Sequence, residues 1–173
     1  STFQTVIQYS GTPEDMYSEG FEGLTGWIGY QDGIFVMSEP DGAAGFYPVN
    51  DHPLDKALYT LRITVPEPYS VATNGIVSAV IDNGGTTTTI SEVNQPMASY
   101  LTTINIARFD RIEDVSGNGV LIRNYFEAGI DATTRAIVAQ QGAMLDYFES
   151  LFGPYPFDVY GAVVVSPSLL LPS

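Results

Sequence analysis

The spacing of apolar and polar positions changes once along this chain. Residues 2–9 alternate, with Phe3, Val6 and Tyr9 set among polar neighbours, which predicts a strand, and "SGTPED" then reads as a turn. In "GFEGLTGWIGYQDGIFVM" two short aromatic runs flank Gln31-Asp32-Gly33. Asp-Gly between apolar runs predicts a hairpin. Residues 56–65 alternate cleanly. Tyr59, Leu61, Ile63 and Val65 share one face and Leu58, Thr60, Arg62 and Thr64 the other, the pattern of a strand with one buried side. Pro66 and Pro68 end it, because proline has no N–H to give to a ladder. Asn74-Gly75 and Asn83-Gly84-Gly85 favour positive φ and mark tight turns between strands. The four threonines at 86–89 are β-branched strand formers. A further strand is expected over about 97–109, a polar loop at "DRIEDVSGNG", and a strand over 120–126. Roughly eight short strands predict a β-sheet or sandwich to about residue 127.

Beyond that point the period lengthens. Asp131 is a good N-cap, and Ile137, Gln141, Met144, Phe148 and Leu151 follow helical spacing with Leu145 and Phe152 alongside. Gly153 and Pro154 stop the helix. "GAVVV", 161–165, is a continuous apolar run of the kind buried on both faces of a parallel sheet. A helix followed by such a strand opens an α/β unit, so a boundary is expected near 127–131. About 45 residues are too few to complete such a unit.

Composition narrows what the chain can do. It has 173 residues, 45% of them hydrophobic and 15% charged, enough apolar content for a sizeable core. A net charge of −14 with six Lys and Arg argues against nucleic acid, whose phosphates need cations, and against an anionic membrane surface. An acidic surface suits an amine-bearing ligand, although acidity also serves solubility alone. No cysteine is present, which excludes disulfides and thiolate metal sites. No apolar run approaches the ~18 residues of a spanning helix. Both ends interrupt patterned segments, as an excised piece would.

One stretch follows neither period: "SEPDGAAGFYPVNDHP", residues 38–53, with acids at Glu39 and Asp51 and the only histidine, His52. A catalytic zinc takes three protein ligands, commonly two of them histidines, and one histidine cannot supply that. His52 lies in an Asp-His-Pro turn and reads as structural. No Gly-x-Ser-x-Gly elbow supports a serine hydrolase. Glu39, Asp41 and Asp51 qualify as glycosidase carboxylates by residue type only. The glycine-rich pieces lack the helix and lysine of a phosphate cradle, and 110–119 lacks the spacing of a calcium loop. Trp27, Tyr30, Phe35, Phe46 and Tyr47 could present an aromatic platform, but filling a β core is the simpler role for such residues. Glu39 stands before Pro40 at an expected strand end, where a carboxylate can accept hydrogen bonds from an ammonium.

In order along the chain, several segments carry a resemblance. Glu39, then Asp51-His52-Pro53, Asp55-Lys56-Ala57 and the strand to Val65 follow one family pattern. "NQPMASYLTTINIARF", 94–109, "MLDYFESLFGPYPFDVYGAVVV", 144–165, and "VIQYSGTPED" extend it. Together they resemble the zinc aminopeptidases of the membrane alanyl aminopeptidase family, gluzincins that include leukotriene hydrolase. The resemblance implies a mainly β fold. An antiparallel, sandwich-like saddle domain, 1–129, would be joined to 130–173, one helix and one strand opening a thermolysin-like α/β catalytic domain. It implies a parent that removes N-terminal residues from peptides with Zn²⁺ held by His-Glu-x-x-His and a distant Glu. It implies that Glu39 grips the substrate's α-ammonium, that Asp51, His52 and Lys56 are structural, and that Lys56 pairs with a carboxylate. The zinc motif is not in these 173 residues, so the piece should bind no catalytic metal and be inactive alone. An incomplete β domain should also self-associate through open edges. The competing reading is a non-catalytic β-sandwich module that binds peptide or carbohydrate.

Overall fold

The structure is a computed structural model that describes residues 3–14, 16–18 and 23–166. It is built mainly of antiparallel β-sheet. The first sheet has the order β1-β2-β3-β8-β5, from Met16–Ser18, Gly23–Tyr30, Gly33–Met37, Ile104–Ala107 and Ser70–Thr73 respectively. The second is β4-β7-β6, from Ala57–Pro66, Thr86–Met97 and Ile76–Asp82. The third sets β10 (Leu121–Glu127) antiparallel to β9 (Phe109–Val115) and parallel to the two-residue strands β11 (Val159–Tyr160) and β12 (Val163–Val164).

The expected hairpin is present. Tyr30 pairs with Gly33, so Gln31 and Asp32 form the two-residue turn. Gly33 is glycine because a Cβ there would run into the Ile106 carbonyl of β8. In β4 the apolar face of Tyr59, Leu61, Ile63 and Val65 turns inward while Leu58, Thr60, Arg62 and Thr64 stay exposed, and the strand ends at Pro66 as expected. Asn83-Gly84-Gly85 joins β6 to β7 with φ of 74° and 97° at the glycines. Asn74-Gly75 is also a tight turn, but the strands on either side belong to different sheets: β5 pairs with β8 and β6 with β7. β5 lies at the centre of the packing. It touches β4 and β7 of the second sheet and β9 of the third, and Val71 and Ala72 are buried there with Val65 and Val93.

Four expectations need correction. Residues 3–9 are not a strand. Among the described residues no strand pairs with them, and Phe3, Val6, Ile7 and Tyr9 are exposed. The single strand over 97–109 is three pieces: β7 ends at Met97, a 3-10 turn spans Ser99–Leu101, and β8 follows before β9 starts. Buried Ser99 and Thr102 explain the break, since each hydroxyl needs a partner that a straight ladder would not bring. The polar "loop" from 110 is mostly β9, an edge strand whose side chains face water from Asp110 onward. The apolar run at 161–165 is half-buried and interrupted. β11 and β12 flank Gly161, whose missing Cβ makes room for the Arg123 carbonyl.

The helical region begins as its N-cap predicts. Asp131 Oδ1 accepts hydrogen bonds from the N–H groups of Thr133 (2.8 Å) and Thr134 (3.0 Å). The region comprises α1 (Ala132–Val138) and α2 (Gln141–Phe152), separated at Ala139–Gln140, and no side-chain contact there accounts for the break. Gly153, φ 92°, follows α2. Asp146 docks α2 on the β9–β10 turn by accepting from the N–H groups of Gly117 (2.9 Å) and Asn118 (3.0 Å). The outer face of α2 is uncovered: Met144, Tyr147, Phe148, Leu151 and Phe152 are all exposed.

Candidate functional site

The loop that carries Glu39 is built from its anchors inward. β3 ends at Met37, whose carbonyl accepts a hydrogen bond from Thr25 Oγ1 of β2 at 3.0 Å. Ser38 is buried, Gly42 N–H donates to its carbonyl at 2.7 Å, and Glu39 and Pro40, joined by a cis peptide, lie exposed between. The turn is pressed against β2 at a place where only glycines fit. A Cβ on Gly26 (φ 80°) would meet the Gly42 carbonyl oxygen at 2.9 Å, and one on Gly42 would meet the Gly26 nitrogen at 2.5 Å. A 3-10 turn, Ala43–Gly45, follows.

Asp51 ties this loop to the rest of the sheet. Its Oδ2 accepts from Ala44 N–H at 3.1 Å, and its Oδ1 accepts from the buried Ser99 hydroxyl at 2.6 Å. Two 3-10 turns distant in sequence are thereby fixed to one carboxylate. Tyr47 adds a second tie, its hydroxyl lying 3.2 Å from Thr102 Oγ1. Burial pushes the Tyr47 phenol well above the ordinary tyrosine range, so it stays neutral and keeps its proton to donate. Asn105 holds β3 in register from the other side, accepting from Val36 N–H at 3.0 Å and donating to the Ala72 carbonyl at 3.3 Å.

The expected site residues separate on inspection. Glu39 is exposed on this braced loop and its carboxylate makes no bond to another described residue. Asp51 acts as a structural clamp. His52 is exposed, and its Nδ1 accepts from Leu54 N–H at 3.2 Å, a local turn bond. Lys56 is exposed and pairs with no carboxylate among the described residues, whose ion pairs are Arg111–Glu113 and Arg135–Asp110. That corrects the expected Lys56 pair. Asp55 instead accepts from Asn50 Nδ2 at 2.8 Å. Among the described residues no three His, Asp or Glu side chains gather closely enough to share a metal ion. The described side chains therefore do not fit a zinc site.

Trp27, Tyr30, Phe35, Phe46 and Tyr47 are half-buried, whereas the aromatic residues buried in the core are Tyr125 and Phe126. Trp27 and Phe46 have ring centroids 5.9 Å apart, and Phe46 and Tyr47 5.0 Å. With Ile63, Ile104 and the segment Tyr9–Pro13 they line an open groove of ≈ 620 Å³ beside the Glu39 loop.

Two buried polar groups escaped the sequence reading. Glu127 is 4% exposed and its Oε2 accepts from the Tyr30 hydroxyl at 3.1 Å and from Ser166 N–H at 2.6 Å. Arg123 is 5% exposed, and its Nη2 donates to the carbonyls of Thr73 (3.0 Å) and Gly75 (2.7 Å). Burial lowers the Arg123 pKa and raises that of the adjacent Tyr125 phenol. A visible signal existed in each case: an ionisable residue inside the otherwise apolar run "VLIRNYFE".

No family model matches the chain. It is 31% identical over 116 residues to human glutamyl aminopeptidase, covering 66% of this chain and 12% of that protein. It is 27% identical over 119 residues to aminopeptidase M1 of Arabidopsis thaliana, covering 68% and 14%. Among solved structures, the M1 zinc metallopeptidase of Deinococcus radiodurans superposes with a TM-score of 0.80 at 31% identity, over 90% of this chain and 36% of that one. A mutant of that enzyme bound to a Tyr-Ser-Ala substrate gives 0.82 at 32%, over 91% and 37%. The chain thus spans about an eighth of the length of the curated relatives it matches, and its mostly antiparallel fold is that of the N-terminal part of an M1 peptidase.

Proposed function

The chain belongs to the M1 family of zinc metallopeptidases, the gluzincin aminopeptidases, and from that premise we propose that the whole protein removes N-terminal residues from peptides while this part supplies one wall of the site that holds the substrate's α-amine. The observation that carries the reading is Glu39. Its carboxylate is exposed, unengaged by any described residue, and mounted on a loop braced by Asp51 and by the Gly26–Gly42 contact. A free carboxylate on a rigid support suits capture of an ammonium: the support has lost its entropy in folding, and charge-assisted hydrogen bonds are the strong ones. The groove lined by Trp27, Phe46 and Tyr47 opens on residues 44–48 of the same loop and would take apolar parts of a peptide.

In this reading the catalytic zinc belongs to the parent protein and is ligated by residues outside this chain, which offers no fitting ligand cluster among its described residues. The piece is accordingly inactive alone. The division falls near residue 130, where the N-cap of α1 follows β10, with the parallel pairing of β10 to β11 and β12 tying the two parts together. The groove also favours a second reading, a non-catalytic module that binds peptide or carbohydrate on its aromatic rings. The two separate in the full-length protein. The aminopeptidase reading expects a His-Glu-x-x-His pair encoded downstream, stoichiometric zinc, and hydrolysis of peptides with a free amine but not of their N-acetylated forms. Absence of the histidine pair, or equal cleavage of blocked peptides, contradicts it.

A further inference from the structure

A second cleft, of ≈ 230 Å³, lies between the Asn74–Gly75 turn, the end of β7 and residues 155–163, and shares no residue with the Glu39 loop. Arg123 is part of its lining. We propose that this cleft binds a small monocarboxylate, with the Arg123 guanidinium as its anchor.

Arg123 is buried, yet no carboxylate pairs with it among the described residues. The β9–β10 register sets Glu113 opposite, but Glu113 is partly exposed and already bonded by Arg111. The compensation consists of two neutral carbonyls, Thr73 and Gly75, the Tyr125 side chain, whose ring lies 5.7 Å from the guanidinium carbon and whose hydroxyl also interacts with it, and the more distant charge of exposed Glu113. Those carbonyls use the two Nη2 protons. Nε is buried and has no acceptor. A guanidinium carries five N–H donors in a planar fork that matches a carboxylate, and a buried cation without a counter-charge is costly. A carboxylate bound in the cleft supplies the missing counter-charge to the guanidinium.

The remaining walls define the ligand. Val93, Met97, Leu101 and Phe157 offer apolar surface suited to a short hydrocarbon. Asp158 also lines the cleft, held by Gln95 Nε2 at 2.7 Å and by Asn94 Nδ2 at 3.4 Å. A fixed negative group beside a single cation disfavours dianions, as does a net charge of −14, and it favours a carboxylate that carries an amino group at its far end.

The test titrates the full 173-residue chain, labelled with ¹⁵N-arginine, with propionate, β-alanine and inorganic phosphate, following heat and the Arg123 Nε–H resonance. Propionate and β-alanine should both bind saturably and move that resonance, β-alanine several-fold more tightly, and phosphate at least 10-fold more weakly. Asp158→Asn alters an exposed residue and should erase the β-alanine advantage while sparing propionate. Arg123→Met should abolish binding. If that variant fails to fold, the wild-type Arg123 resonance and the Asp158→Asn result decide. An unmoved resonance, phosphate binding as tightly as propionate, or a folded Arg123→Met chain that binds propionate normally overturns the proposal.

Discussion

Glu39 and Asp51 are both carboxylates of one short loop, and their surroundings give them opposite work. Asp51 is consumed by two internal hydrogen bonds, one of them to the fully buried Ser99 hydroxyl. Replacing it with alanine leaves that hydroxyl and the Ala44 N–H without partners. Asp51→Ala should therefore cost about 2 kcal/mol of stability, read as a lower midpoint in denaturant. Glu39 donates nothing to the fold, so Glu39→Ala should leave the same midpoint within about 0.5 kcal/mol. His52 has the structural place its Asp-His-Pro turn predicts: its Nδ1 accepts from Leu54 N–H and closes the turn. The role of Asp51 was legible only as "structural". Its partner, Ser99, lies 48 residues away, and nothing in local spacing announces such a contact.

Among the elements, those with a one-sided apolar pattern were legible and those without were not. β4 was readable because its inward face is Tyr59, Leu61, Ile63 and Val65 in strict alternation. β9 was not, since an edge strand that is solvated on both faces looks polar throughout. Residues 3–9 failed in the reverse sense. They alternate, but a strand is a pairing, and no ladder among the described residues reaches them. Turn glycines provide a test of what holds the sheets. Gly84 (φ 74°) has open space around a would-be Cβ, so Gly84→Ala should cost about 1 kcal/mol of backbone strain. Gly75 (φ 80°) would drive its Cβ into the Glu92 carbonyl, and Gly75→Ala should cost clearly more by the same denaturation measurement. The α1 N-cap adds a pH signature. Backbone and side-chain hydrogen bonds from Thr134 hold the Asp131 pKa below its ordinary value. A depressed carboxylate stabilises the fold fully above its unfolded pKa, and that contribution is lost as pH falls through the lower folded value. Asp131→Ala should lower Tm at neutral pH, and the gap from wild type should close as the solution is acidified through the aspartate range.

At the scale of the whole molecule, the surface that the fold leaves bare is as informative as its core. The exposed row Met144, Tyr147, Phe148, Leu151 and Phe152 on α2 is an unusually apolar face for solvent. In the family reading it packs against more of the catalytic domain, and the isolated chain should self-associate through it. Phe148→Asp combined with Phe152→Asp should shift the chain toward monomer in sedimentation velocity. An unchanged distribution would place the contact elsewhere. The family and the β-rich architecture were legible because ordered motifs span most of the sequence. The monocarboxylate cleft was not, because it is assembled from a turn, a strand end and the 155–163 segment around one buried cation. The central claim, that Glu39 binds the substrate's leading ammonium, is tested most directly by kcat/KM for a free-amine peptide in full-length Glu39→Ala, with zinc content measured on the same sample. A charge-assisted hydrogen bond of about 1.5–3 kcal/mol predicts a roughly 10- to 100-fold loss with zinc retained. An undiminished kcat/KM in the fully zinc-loaded variant would contradict the account.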